Sequence, residues 1–148
     1  MLLVSACLAG INCRYDGKNS EIIEIEKLVK DGKAIAICPE VIGGLNIPRD
    51  SCEIVMTNGE KMVVSKNNAD FTEAYKEGAQ KGFEIAKIIG VRTAILKSRS
   101  PSCGCGYVYD GKFSKTLISG NGIFAELLIN NGIQVFTEEN FKEVFSFE

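Results

Sequence analysis

The sequence predicts an α/β fold: a Rossmann-like three-layer sandwich with a mainly parallel sheet and a short β-hairpin insertion, formed as a single domain over residues 1–148. Three observations predict it. Short apolar runs at residues 2–6, 34–37, 93–97 and 133–136 have the length and composition of strands buried on both faces. Helix-forming stretches separate most of these runs, and such alternation brings strands side by side in parallel. One pair of runs flanking Asn58-Gly59 departs from the alternation and reads as a hairpin. The chain length suits one compact domain, and 45% hydrophobic with 24% charged residues is ordinary for a globular protein.

In order, the strand at residues 2–6 ends at Cys7, and a loop to Asp16-Gly17 follows. Ser20 is placed to cap a helix whose apolar positions are Ile22, Ile25, Leu28 and Val29, with Gly32 as its stop. The strand at residues 34–37 ends at Cys38-Pro39-Glu40, which opens a Gly/Pro-rich loop reaching Arg49. After the hairpin, Asn68 or Asp70 opens the longest helix, closed by Gly90. Within it Ala74, Gly78, Gly82 and Ala86 recur every four residues as a small-residue stripe, which predicts close approach to a sheet. The strand at residues 93–97 leads into Ser100-Pro101-Ser102-Cys103-Gly104-Cys105-Gly106. Residues 107–113 read as an irregular turn or short hairpin. Gly120-Asn121-Gly122 precedes a helix over residues 123–130, and a strand at 133–136 and a helix at 138–145 close the chain.

Composition narrows the chemistry. The net charge of −2 provides no electrostatic footprint for duplex nucleic acid. No apolar run approaches the roughly 20 residues that cross a bilayer. The first residues read as a strand rather than a signal peptide, so the expectation is a cytoplasmic protein. There is no histidine, which removes Ser-His and Cys-His catalytic pairs and imidazole ligands. There are six cysteines, and in a reducing compartment these are thiols rather than disulfides.

Parallel sheets bind ligands beyond the carboxyl ends of their strands. That edge is where the pattern places Cys7, Cys38 and the loop holding Cys103. Thiolates from separate loops are soft ligands for zinc or iron–sulfur clusters. The close-spaced knuckles of structural zinc sites and the four-cysteine runs of ferredoxins are absent. Three loop-borne ligands instead suggest a cluster with one iron left open as a Lewis acid. Buried thiols without a metal, or a redox-sensing pair, remain an alternative reading. Glu40, two residues after Cys38, is a candidate for proton transfer. Ser100 and Ser102 could donate hydrogen bonds to sulfide or substrate, or simply close turns. Gly120-Asn121-Gly122 could receive an anion at a helix start, or only begin the helix. Arg14 and Arg49 could bind an anion or tie loops together.

At these residues the sequence resembles a known family. Val4-Ser5-Ala6-Cys7-Leu8-Ala9-Gly10, Cys13-Arg14-Tyr15-Asp16-Gly17, Cys38-Pro39-Glu40 with Gly43-Gly44-Leu45 and Pro48-Arg49, and Ser100-Pro101-Ser102-Cys103-Gly104 follow its motifs in order. Tyr109-Asp110-Gly111 and Gly120-Asn121-Gly122 extend the likeness over nearly the whole chain. The family is a small bacterial and archaeal group that includes thiouracil desulfidase. The resemblance implies a [4Fe-4S] cluster held by three cysteines, here Cys7, Cys38 and Cys103. It implies removal of sulfur from a thiolated nucleobase or nucleotide as hydrogen sulfide, with Glu40 as acid/base and Ser100 as an auxiliary hydrogen-bonding residue. Cys13, Cys52 and Cys105 stand outside that ligand set, and Cys105 as a fourth ligand would close the site. The partner expected is a small thiolated base rather than a membrane or a large nucleic acid, and exposed apolar patches would permit a homodimer. The competing classes are a non-catalytic zinc or redox-sensing thiol protein and a plain nucleotide-binding module.

Overall fold

The structure, a computed structural model, describes residues 1–143 and Phe145. Four strands, β1 (Leu2–Ser5), β2 (Ala34–Ile37), β5 (Thr93–Leu96) and β8 (Gln134–Thr137), form one parallel sheet in the order β2-β1-β5-β8. Two antiparallel hairpins stand outside it: β3 (Cys52–Thr57) with β4 (Glu60–Ser65), and β6 (Tyr107–Tyr109) with β7 (Leu117–Ser119). The helices are α1 (Ile23–Lys30), α2 (Pro39–Ile42), α3 (Thr72–Ile89) and α4 (Ile123–Asn130). Among the described residues, no helix is long and apolar enough to cross a membrane.

Alternation along the strands builds the three layers. Leu3 of β1 and Ala94 and Leu96 of β5 face Ala79 and Ala86 of α3 and Phe124 and Leu128 of α4. Val4 and Ile95, one residue out of phase, face Ile25 of α1 and Phe141 on the other side. Successive strand residues point to opposite faces, so fully apolar strands serve two cores at once. β1 pairs with β2 on one side and β5 on the other. Chain connections diverge in opposite directions from that point, so a crevice opens at the carboxyl ends of β1 and β5.

Several elements differ from the sequence expectation, each for a local reason. Ser20 does not cap α1. Its hydroxyl accepts a hydrogen bond from Arg14 Nη1, and α1 begins at Ile23 with no side-chain cap. Cys38-Pro39-Glu40 is not a loop: Pro39 occupies the first turn of α2, where its fixed φ suits helix and its missing N–H costs nothing. α3 begins at Thr72, and Asp70, one of its two predicted openers, does accept the Thr72 backbone N–H at 2.9 Å. The small-residue stripe of α3 meets the sheet core only at Ala86, and its two glycines meet helices instead. A Cβ at Gly78 would lie 1.9 Å from the Pro39 carbonyl oxygen of α2, and one at Gly82 would lie 2.8 Å from the Phe124 ring of α4. The hairpin at residue 107 runs on to Ser119. The helix predicted over residues 138–145 is a single 3-10 turn, Phe141–Glu143, and Val144 falls outside the described residues.

Candidate functional site

The crevice at the sheet edge is a cavity of about 290 Å³. Cys7 reaches it from the 3-10 turn Ala6–Ala9 after β1, and Cys38 from the end of β2. Cys103 comes from the loop after β5, and Cys13, Cys52, Glu40, Ser100 and Ser102 also line the walls. All six cysteines are free thiols. Thus Cys7, Cys38, Cys103, Glu40 and Ser100, expected together from separate stretches of sequence, do border one space.

Cys105 does not. Its thiol lies against the Val135 carbonyl at 3.9 Å and packs on the apolar core beneath α4. Cys103, two residues earlier in the same turn-rich loop, lines the cavity instead. Cys13, outside the expected ligand set, has its thiol in hydrogen-bond contact with both Cys38 and Cys7. Cys52 begins β3 and touches the Tyr75 hydroxyl.

Three of the cavity thiols, Cys103, Cys13 and Cys38, are hard to ionise in the bare protein. Burial holds the Cys103 thiol up to about 12, although the Ser5 and Ser102 hydroxyls pull the other way. The Cys38 hydrogen bond lowers Cys13, but contact with Cys7 and burial outweigh it and raise Cys13 to about 11. Contact with Cys13, then burial, raises Cys38 further still. Such a group of thiols becomes thiolate only against a strong local positive charge, and bound metal provides one. Among the described residues, no three cysteine, aspartate or glutamate side chains gather at the scale of a single metal ion. Thiols spaced round a cavity suit a larger, soft, polynuclear group better than one zinc ion.

Glu40 stands at the centre of a connected polar network. Its Oε1 accepts hydrogen bonds from Arg49 Nε at 3.0 Å and from the Tyr75 hydroxyl at 2.9 Å. Its Oε2 accepts from the Ser102 hydroxyl at 2.7 Å. Ser102 and Ser100 hydroxyls lie 2.9 Å apart. A hydroxyl has one proton to donate, and that of Ser102 is engaged by Glu40, so Ser100 donates to Ser102. Ser100 Oγ meanwhile accepts from the Ser102 and Cys103 backbone N–H groups, at 3.1 and 3.0 Å. The chain of donors therefore runs Ser100, Ser102, Glu40.

The groups expected to receive an anion all make contacts within the protein. Backbone N–H groups at the start of α4 are taken by the cysteine loop: Gly122 donates to Gly104 O, Ile123 to Pro101 O and Phe124 to Ser102 O. Arg49 ties loops, giving Nη2 to the Cys13 carbonyl at 2.8 Å and Nε to Glu40. Arg14 is engaged with Ser20 and Asp16. Tyr75 and Ser5 were missed entirely. Tyr75 sits in a helix at an apolar position, where an aromatic residue reads as core. Ser5 ends a buried strand, where nothing in a one-dimensional pattern marks its hydroxyl, which accepts the Lys97 N–H and reaches Cys103.

Comparison with known proteins adds to this geometry. Residues 2–140 match the 2-thiouracil desulfurase family. The uncharacterised protein YbbK of Bacillus subtilis (strain 168) is 42% identical over 150 residues, spanning 97% of this chain and 99% of that protein. Among solved structures, the [4Fe-4S]-dependent thiouracil desulfidase TudS is 39% identical, with a TM-score of 0.89 over 97% of this chain and 93% of that one. At that identity and coverage, the mainly parallel sheet with its flanking hairpins is a shared fold.

Proposed function

The chain belongs to the 2-thiouracil desulfurase family, and from that premise we propose that it is a [4Fe-4S]-dependent desulfidase of thiolated nucleobases. The reaction exchanges one atom for another: thiocarbonyl and water become carbonyl and hydrogen sulfide, with no electrons supplied or removed. The observation that carries this reading is the convergence of Cys7, Cys38 and Cys103 on one cavity that also holds Glu40. Those three cysteines would hold the cluster, which when bound supplies a Lewis-acidic iron free of protein ligands for a thiocarbonyl sulfur. The Cys105 thiol, turned to the core, does not compete for that iron, and Cys13 and Cys52, which line the same cavity, stand outside the expected ligand set.

The chain's own residues handle water and protons. Glu40 Oε2 has one oxygen lone pair engaged by Ser102 and another available to the cavity, so it can take a proton from water as the oxygen attacks the ring carbon. The second water proton leaves the new hydroxyl as the carbonyl forms, and both protons finish on sulfide. Ser100 and Ser102 orient the carboxylate through the chain of hydroxyl donors that ends on Oε2. A cavity of about 290 Å³ is at the small end of ligand sites, and because the cluster would share it, it favours a small thiolated base over a larger substrate.

Protein purified without oxygen should be brown and carry about four irons with matching labile sulfide, as a [4Fe-4S] centre requires. It should release sulfide from 2-thiouracil. Glu40→Gln should keep the visible absorbance and lose roughly 100-fold or more in turnover. Colourless protein loaded with zinc would replace this reading with a structural metal site.

A further inference from the structure

We propose that Tyr75 is a positioning residue for this reaction: with Arg49 it pins Oε1 of Glu40, leaving Oε2 as the oxygen that moves protons. The inference rests on the acid/base reading of Glu40 and assigns its two oxygens different tasks.

Three observations carry it. Tyr75 is 2% exposed and sends its hydroxyl to Glu40 Oε1 from α3, an element that contributes no other polar group to the cavity. Arg49 Nε meets the same oxygen, so Oε1 accepts two hydrogen bonds while Oε2 accepts one, from Ser102. A carboxylate gripped at one oxygen from two directions cannot rotate about its terminal bond without breaking both contacts. The free lone pair of Oε2 is thereby kept at a fixed height beside the Cys103 loop.

The third observation is the packing that brings the phenol there. Gly78 is three positions on from Tyr75, so both lie on the same face of α3. At that face α3 touches α2, the helix that carries Glu40. A Cβ at Gly78 would meet Pro39 O at 1.9 Å, and one at Gly43 would meet Ala74 O at 2.1 Å. Glycine at both positions lets the two backbones approach until a phenol on one helix reaches a carboxylate on the other. Glycine inside a helix costs about 1 kcal/mol, which otherwise has no return at Gly78. The sequence stripe that predicted close approach to a sheet therefore serves the reach of Tyr75.

Tyr75→Phe removes one oxygen and keeps the ring in its buried slot. In anaerobic, cluster-loaded protein, kcat for 2-thiouracil should fall about 10- to 100-fold, the usual effect of a misplaced catalytic group. KM, and the affinity for the product uracil measured by calorimetry, should stay within about twofold, since binding does not depend on Oε1. Cluster absorbance and melting temperature should match the parent protein. An unchanged kcat would overturn the proposal, and so would a fall in kcat that comes with lost absorbance or weaker uracil binding, because the phenol would then be a support for the cavity as a whole. Glu40→Gln run beside it separates the two readings. Full turnover there removes Glu40 from the chemistry, whereas lost turnover there with a normal Tyr75→Phe removes only Tyr75.

Discussion

The two walls of the cavity are built by different means. The wall that carries Cys103 is held by backbone. Ser100 O accepts the Gly104 N–H, and the first turn of α4 gives its otherwise unpaired N–H groups to Pro101, Ser102 and Gly104. The facing wall, which carries Cys13 and Glu40, is tied by side chains, with Tyr75, Ser102 and one cation meeting at the carboxylate. Arg49 reaches the Cys13 carbonyl and the Glu40 carboxylate together, with 8% and 12% of the Arg49 and Glu40 side chains exposed. A backbone-built wall is indifferent to most side-chain changes but sensitive wherever glycine permits close contact. A wall tied by side chains loses two contacts at once when the cation that joins Glu40 to the Cys13 carbonyl is removed. The difference sorts the residues of the site into those that set its frame and those that tune its reactive group.

Removing the cation should have the largest effect. Arg49→Met leaves Glu40 buried with one fewer donor and the Cys13 carbonyl short of a partner. Breaking a buried ion pair from one side costs about 3 to 5 kcal/mol, so the urea midpoint should fall steeply. A midpoint close to that of the parent would show that Tyr75 and Ser102 hold Glu40 without the cation.

Next comes the backbone wall. Gly122→Ala would place a Cβ 2.5 Å from the Ser102 carbonyl carbon and oxygen, both backbone atoms that cannot turn aside. The loop and α4 must separate, at about 1 to 3 kcal/mol. Iron content should fall with stability here, since Cys103 rides on the displaced loop. Retained iron would mean that Cys103 is not held by its docking to α4.

The smallest effect is expected at Cys105→Ala, which removes a thiol facing the core next to Val135. Stability should change by about 1 kcal/mol or less and the iron content should not change, while Cys103→Ser should lose the iron. Equal iron loss in both variants would place the two neighbours in the same site and undo the distinction drawn between them.

Legibility in the sequence followed the range of the interaction. The strands were readable because fully apolar runs of four residues serve two cores, and the hairpin because Asn58-Gly59 supplies the turn; Asn58 and Gly59 indeed take positive φ values of 51° and 80°. α2 was read as loop because proline is ambiguous in one dimension: it ends some helices and begins others. The Ser20 cap failed because a hydroxyl near a helix start is useful only if nothing else claims it, and Arg14 does. The α3 stripe was legible as a close contact, but whether a sheet or two helices fill the space depends on crossings no periodicity records.

At the site the same boundary holds. Residue types and strand ends determined that Cys7, Cys38 and Cys103 would meet at one edge, since parallel strands deliver all their carboxyl ends to the same side. The cysteine spacing also limited the chemistry to soft ligands, and the absence of histidine left Glu40 among the candidate proton carriers. Only the tertiary structure decided that Cys105 turns to the core, that Ser102 rather than Ser100 touches Glu40, and that Tyr75 and Arg49 share its other oxygen. These are contacts of a few ångströms between residues up to 62 positions apart. They follow from how closely α2, α3 and the Cys103 loop pack, and sequence patterns report which face a residue takes but not what it meets there.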